Sequence, residues 1–191
     1  AILLPSFINL NRPGNPLERG YACPYTQTIP YISKLAFEGI KLLTPVVNLR
    51  RERDFLEKEV KRILRPFGIH PKDISIALEV AERKQKEFLN GIKSKGKEVL
   101  SYIKDRTIVI IGRPYNAFDK GMNLEIPKKL ADLGIHSMPM DFLPIDEIGI
   151  HNDWPNMYWR SGQRILKAAK LIKNHPDLYA IYIGNFSCGP D

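Results

Sequence analysis

The chain has 191 residues, 43% hydrophobic and 26% charged, enough to bury a full core as one domain or two small ones. No run approaches the roughly 20 apolar residues of a membrane span, and the basic start and small-residue cleavage site of a signal peptide are missing. The net charge of +8 is compatible with nucleic-acid binding, but most of it falls in residues 50–106, where both signs are interleaved as on a solvated helix face.

Residues 2–10 read as a strand broken at Pro5, followed by a turn-rich loop from Asn11 to Gly20. The apolar positions Ile32, Leu35, Ala36, Ile40 and Leu43 predict a helix over residues 28–43, with Pro30 in its first turn. Residues 44–49 form a short apolar run, read as a strand. From Arg51 to Leu64 the chain is charged, with Phe55, Val60, Ile63 and Leu64 on one side, and Pro66-Phe67-Gly68 ends that helix. Ile74, Ala77, Ala81, Phe88, Ile92, Val99 and Ile103 then mark one face of a long helix or of two shorter ones, with Gly91 and Gly96 as weak points.

From Thr107 the pattern changes. Thr107-Ile108-Val109-Ile110-Ile111 is a continuous β-branched run, as expected of a parallel strand buried on both faces. A loop over residues 112–116 and a helix ending at Leu133 follow, with Gly134 suited to the C′ position. Residues 135–140 read as a strand, 141–154 as a long loop, and 155–174 as a helix with Ile165, Ala169 and Ile172 inward. Residues 178–183 give the last strand. Strand, helix, strand, helix, strand implies right-handed crossovers and a parallel sheet. The predicted class is α/β: a Rossmann-like parallel sheet with helices on both faces plus a helical insertion. Residues 1–49 would be a first α/β segment, 50–106 the insertion or linker subdomain, and 107–191 a βαβαβ unit truncated at its C-terminus. The sequence opens without Met and stops just after a loop cysteine, which reads as an excised piece.

The loops after residues 111, 140 and 183 then share one sheet edge, so Arg113, Asp141 and Cys188 would face a common crevice. Gly112-Arg113-Pro114-Tyr115-Asn116 lacks the glycine spacing of a dinucleotide loop and the Lys-Ser/Thr of a P-loop. Arg113 suits a carboxylate or phosphate through its planar fork, or a salt bridge that fixes the loop. Asn116, Asp119 and Asn123 read as turn and cap residues, with Asn116 also a candidate crevice or anion-binding residue alongside Arg113 and Asp141. Arg160, Arg164, Lys167 and Lys170 make a basic stripe read as a solvated face. His70 and His175 precede prolines, and His136 and His151 are isolated, so no zinc pattern emerges.

The two cysteines are the remaining chemistry. Cys23 precedes Pro24 and Cys188 precedes Gly189, so each thiol stands on a turn rather than in an apolar run. Two cysteines in a chain of this length make no secreted disulfide framework, which points to a reducing, cytoplasmic setting. Two loop thiols suggest a metal or iron–sulfur site, a redox pair or a nucleophile; the alternative is two unconnected thiols without function. A [4Fe–4S] cluster usually takes four thiolates, so two would need completion from elsewhere.

Tyr21-Ala22-Cys23-Pro24-Tyr25-Thr26-Gln27, Arg113-Pro114-Tyr115-Asn116, Pro139-Met140-Asp141-Phe142-Leu143-Pro144, Asn156-Met157-Tyr158-Trp159-Arg160 and Asn185-Phe186-Ser187-Cys188-Gly189-Pro190-Asp191 occur in this order. As a set they resemble the uncharacterised C-terminal region of long CoA-substrate-specific enzyme activases, which is itself similar to the cluster-bearing subunits of 2-hydroxyacyl-CoA dehydratases. The resemblance runs over nearly the whole chain. It implies Rossmann-like domains around a [4Fe–4S] cluster, with Cys23 and Cys188 at ligand positions and the cluster incomplete in this piece alone. It implies electron transfer linked to acyl-CoA dehydration, driven by ATP in the activase partner. The implied partners are the rest of the parent chain or a dehydratase or activase component, with acyl-CoA as a possible ligand and neither nucleic acid nor membrane. No segment resembles the activase ATPase core. A different class of reading is a cluster-free module that docks a partner or binds a small CoA-like anion.

Overall fold

The computed structural model describes residues 1–10, 19–103, 105–185 and 188. It divides into two compact units, Ala1–Gln85 with Tyr158–Arg160 and Lys86–Met157 with Ser161–Asp191. The turn-rich loop expected from Asn11 to Gly20 lies largely outside the described residues.

Two prolines organise the first unit. Strand β1 (Ile2–Leu3) pairs in parallel with β3 (Leu42–Leu43), and β2 (Ser6–Asn9) with β4 (Val46–Asn48). The register sets Ile2 against Leu42 and Ser6 against Val46, so Pro5 faces Pro45 where the ladder breaks. Neither proline has an N–H to donate. The Pro45 carbonyl and the residues beside the prolines still bond, with Leu4 N–H reaching Leu43 O at 2.8 Å and Ser6 N–H reaching Pro45 O at 2.9 Å. The break expected at Pro5 is therefore present, and Pro45 mirrors it.

Helix α1 (Pro24–Ala36) departs from the expected 28–43. It starts at Pro24, whose fixed φ suits the first helical position. Pro30 consequently lies in the helix interior rather than its first turn. The helix ends at Ala36, Gly39 takes a φ of +78°, and Leu42-Leu43 turns into β3 instead of a last helical turn.

The charged stretch is helical as expected. Helix α2 (Arg53–Leu64) runs into a 3-10 turn over Arg65–Phe67, closed by Gly68 in the left-handed region. Along α2 the Arg62 guanidinium bonds the Glu59 carboxylate, which also accepts the Val46 N–H of β4 at 3.0 Å. These bonds, the arginine's first, hold the Glu59 carboxyl below its ordinary 4.5. A depressed folded value means stability that is fully present above pH 4.5 and lost as pH falls through the lower folded value. Glu59→Gln should therefore lower the melting temperature at neutral pH. Its difference from wild type should shrink as the pH drops below 4.5, as read by thermal melts from pH 3 to 7.

Helix α3 (Pro71–Tyr102) is one continuous helix, so Gly91 and Gly96 do not break it. Gly96 is buried, with the Phe142 backbone against it.

The second unit centres on a three-stranded sheet in the order β6-β5-β7, all parallel. Its strands are β5 (Thr107–Gly112), β6 (His136–Pro139) and β7 (Leu178–Ile183). Val109 is fully buried, and with Ile111, Met138, Met140 and Leu178 it packs against Ala168 and Ile172 of α6 (Arg160–Lys173). Val99 and Leu100, in the last turn of α3, and Ile103 just after it lean on the same cluster. Alternation turns Ile108 and Ile110 to the opposite face. The fold is α/β with parallel strands.

Two helical expectations need correcting. The helix expected to reach Leu133 is two short ones, α4 (Pro114–Phe118) and α5 (Ile126–Asp132). Between them Leu124 and Glu125 take positive φ, and the Asp119 carboxylate accepts the N–H groups of Gly121 and Met122, both at 2.9 Å. Asn123 is buried and donates to Ala117 O. Asp119 and Asn123 are thus turn residues, as expected. In α6 the inward residue is Ala168, while Ala169 is exposed.

Candidate functional site

Each cysteine is described within its own unit. In the first, Tyr21 bridges to Asn9, the last residue of β2, and to Trp159. Its N–H donates to Tyr158 O at 2.9 Å and its carbonyl accepts the Arg160 N–H at 3.0 Å. The Arg160 guanidinium donates to Leu10 O at 2.8 Å. Ala22 N–H returns to Ile8 O, so the segment before Cys23 is tied to β2. Cys23 occupies the N-cap of α1 and accepts the Gln27 N–H at 3.1 Å through its carbonyl. The Gln27 side chain donates back to Ala22 O, and Ser6 Oγ of β2 donates to Gln27 O at 2.7 Å. Because Tyr21 pairs antiparallel with Asn9 and Ala22 with Ile8, the segment runs back along β2, and Cys23 is fixed beside that strand, half-buried and outside any disulfide.

In the second unit, Cys188 follows β7, and Arg113 and Asn116 follow β5, its neighbour in the sheet. Arg113 Nη2 lies 3.1 Å from Cys188 Sγ. The Cys188 N–H donates to Asn185 O at 3.1 Å, and the Asn185 amide donates to the Tyr115 hydroxyl at 3.0 Å. Asn116, only 1% exposed, donates to Ile183 O at 3.4 Å. Asn116 therefore ties α4, just after β5, to the end of β7, a role beyond the turn or cap expected of it.

Arg113 and Cys188 meet as the strand order requires. Asp141 is held elsewhere: it pairs with Arg164 of α6 at 2.6 Å. Its second oxygen and the Arg164 Nε are buried without a hydrogen-bond partner. The basic stripe is not a solvated face. Lys167 is 5% exposed, and Lys170 donates to Gly149 O and to Asp153 at 2.6 Å. Arg164 and Lys170 thus clamp the 141–153 loop onto α6, and sequence reasoning missed this because spacing alone cannot show what a stripe faces. Asp146 of that loop is paired with Lys93, which holds its carboxyl below the usual range, with Arg164 and Lys167 adding to the effect.

Two hollows of about 610 and 460 Å³ open at the amino ends of the strands, the edge away from Cys188. Arg106, His136 and Tyr179 line the larger, and Lys95, Glu98 and Tyr102 the other. Among the described residues, no group of three or more His, Cys, Asp or Glu side chains could hold a metal ion. No described helix is long and apolar enough to cross a membrane.

These features define a parallel α/β protein that carries one cysteine, Cys188, on the loop beyond β7 and the other, Cys23, at the start of α1. Residues 1–143 match the family described as CoA enzyme activase uncharacterised domain (DUF2229), and the chain belongs to that family. The match includes Cys23, Arg113, Asn116 and Asp141, and Cys188 lies beyond it. No curated protein and no solved structure matches the chain.

Proposed function

We propose that this chain is the cysteine-bearing part of a CoA enzyme activase-type protein in which Cys23 and Cys188 ligate a [4Fe–4S] cluster. The observation that carries the reading is the position of Cys188, on the loop beyond β7 and beside the β5 loop, where open α/β sheets place their chemistry. The donor type fits: both thiols are free, half-buried and soft, as iron–sulfur ligation needs. The donor number is half the usual four, so further ligands would come from outside these residues. When bound, such a centre supplies a one-electron carrier, here for electron transfer linked to acyl-CoA dehydration. What this chain contributes is the holding of two sulfurs: Cys23 by the Gln27 and Ala22 bonds, Cys188 by the Asn185 turn. The partners under this reading are the rest of the parent protein or a dehydratase component, with acyl-CoA as substrate class.

The test is anaerobic purification of the full-length protein, with iron, acid-labile sulfide and EPR measured. About four irons per site are expected for wild type, and a large loss in Cys23→Ser and in Cys188→Ser. Either variant retaining a full, EPR-identical cluster would sink the assignment of that residue.

A second reading, a cluster-free interaction module, is favoured by α1. Its inner side carries the buried Pro30 and Ser33, while Tyr25 and Leu35 are 79% and 85% exposed and Ile29 and Ile32 are also open. A helix apolar on most of its surface ordinarily packs against something on more than one side.

A further inference from the structure

We infer that Arg113 is a positioning residue that acts on the Cys188 sulfur through its charge: held against the sulfur by the fold, it supplies the positive charge that a negatively charged sulfur there requires. The inference deepens the reading of Cys188 as a ligand, but its first measurement is made on metal-free protein and stands without that reading.

Three ties bring the two side chains together, and none involves the sulfur. Gly112 pairs with Ile183 at the ends of β5 and β7, and its missing side chain admits the Ile183 carbonyl. Asn116 donates to that same carbonyl, joining the loop after β5 to the end of β7. Asn185 bonds Tyr115, and the Cys188 N–H bonds Asn185 O, which turns the sulfur back toward the β5 loop. The 3.1 Å separation of Arg113 Nη2 and Cys188 Sγ follows from this frame. Arginine is always charged and offers five donors in a rigid fork, so one N–H can serve sulfur while others bind elsewhere. A neutral thiol is a weak acceptor, whereas an anionic sulfur adds Coulomb attraction to a guanidinium at this distance. The cation is thus matched to a sulfur that bears negative charge, as one bound to iron does.

The experiment compares alkylation of Cys188 by iodoacetate, an anion, and iodoacetamide, its neutral counterpart, in metal-free full-length protein, with Cys188 followed by peptide mass spectrometry. The ratio of the two rates cancels the thiol's own reactivity and reports the charge beside it. We expect Arg113→Gln to lower the iodoacetate-to-iodoacetamide ratio at least threefold, and Arg113→Lys, which keeps the charge, to retain most of it. In wild type the ratio should fall as salt is raised, since ions in the surrounding water screen the charge of the half-buried Arg113. This arm needs no variant to fold. A ratio that is unchanged in Arg113→Gln, or insensitive to salt in wild type, overturns the inference. In iron-reconstituted protein, removing the cation should make reduction harder, shifting the oxidised-to-reduced ratio at fixed potential about tenfold, which is 59 mV for one electron. Protein that takes up no iron while the alkylation ratio behaves as expected would sink the ligand reading and leave Arg113's role standing. A bound cluster with an unchanged ratio and potential would do the reverse.

Discussion

Replacing Gly96 by alanine should destabilise the second unit by about 2 kcal/mol or more, whereas the same change at Gly91, five residues earlier in α3, should stabilise it. In both positions alanine gains about 1 kcal/mol of helix propensity over glycine. At Gly91 a Cβ meets nothing within 4 Å, so the gain is kept. At Gly96 the Cβ would overlap the carbonyl oxygen of Phe142 and press on its carbonyl carbon and Cα. Those are backbone atoms, so no rotamer change relieves the clash. Moving them disturbs the 3-10 turn Met140–Phe142 that follows β6, where Met140 is 2% exposed. Overpacking of this kind costs about 1–3 kcal/mol before the lost contacts of the displaced turn are added. Thermal or urea denaturation of both variants decides it. Equal and opposite shifts are not required, but a Gly96→Ala protein as stable as wild type would mean that α3 and the turn are not in contact.

That contact marks where sequence reasoning stops. Periodicity correctly placed helix through most of residues 74–103, but it left one long helix or two shorter ones open and read both glycines as weak points, because it sees propensity and not neighbours. The strands of the second unit were legible for a physical reason: a run such as Thr107–Ile111 has no polar face, so it fits only a strand covered on both sides. Pro5 was legible too, since a residue without an N–H cannot donate to the ladder beside it. The start of α1 was not. Its apolar residues lie around most of the helix, so their spacing did not fix its ends, and the proline after Cys23 set the start instead. The division of α4 from α5 turns on the positive φ of Leu124 and Glu125, residue types that give no warning of it.

The site divides in the same way. Strand order alone brought Arg113 and Cys188 to one edge, because loops after adjacent parallel strands must leave on the same side. It also placed Asp141 on that edge, but could not see that Arg164 holds this carboxylate. The match to residues 1–143 is narrower than the near-complete resemblance read from the motifs, and it leaves Cys188 to be judged by its surroundings. Those surroundings, an arginine on the sulfur and a turn anchored to Tyr115, came from packing across the sheet, which no local pattern records.

Gly112→Ala should therefore disturb fold and site together. A Cβ at Gly112 would lie 2.5 Å from the Ile183 carbonyl oxygen, again a backbone atom with no rotamer to move. The ends of β5 and β7 would have to part, at a cost of about 1–3 kcal/mol, or roughly 5–15 °C of melting temperature in a unit this small. The parting strains the Asn116 bond to Ile183, and Asn185 follows two residues later, so the turn carrying Cys188 shifts relative to Arg113. The expected signature is local. Amide exchange should quicken at the carboxyl ends of β5 and β7 while the β5–β6 pairing from Thr107 to Ile110 keeps its protection. The iodoacetate preference of Cys188 should fall as well, although Arg113 itself is untouched. If stability dropped and that preference held, the Arg113–Cys188 pair would be set by the loops alone and the sheet end would have no part in it. A preference lost together with exchange protection places the origin of the pair in the close approach of two strands that a single glycine permits.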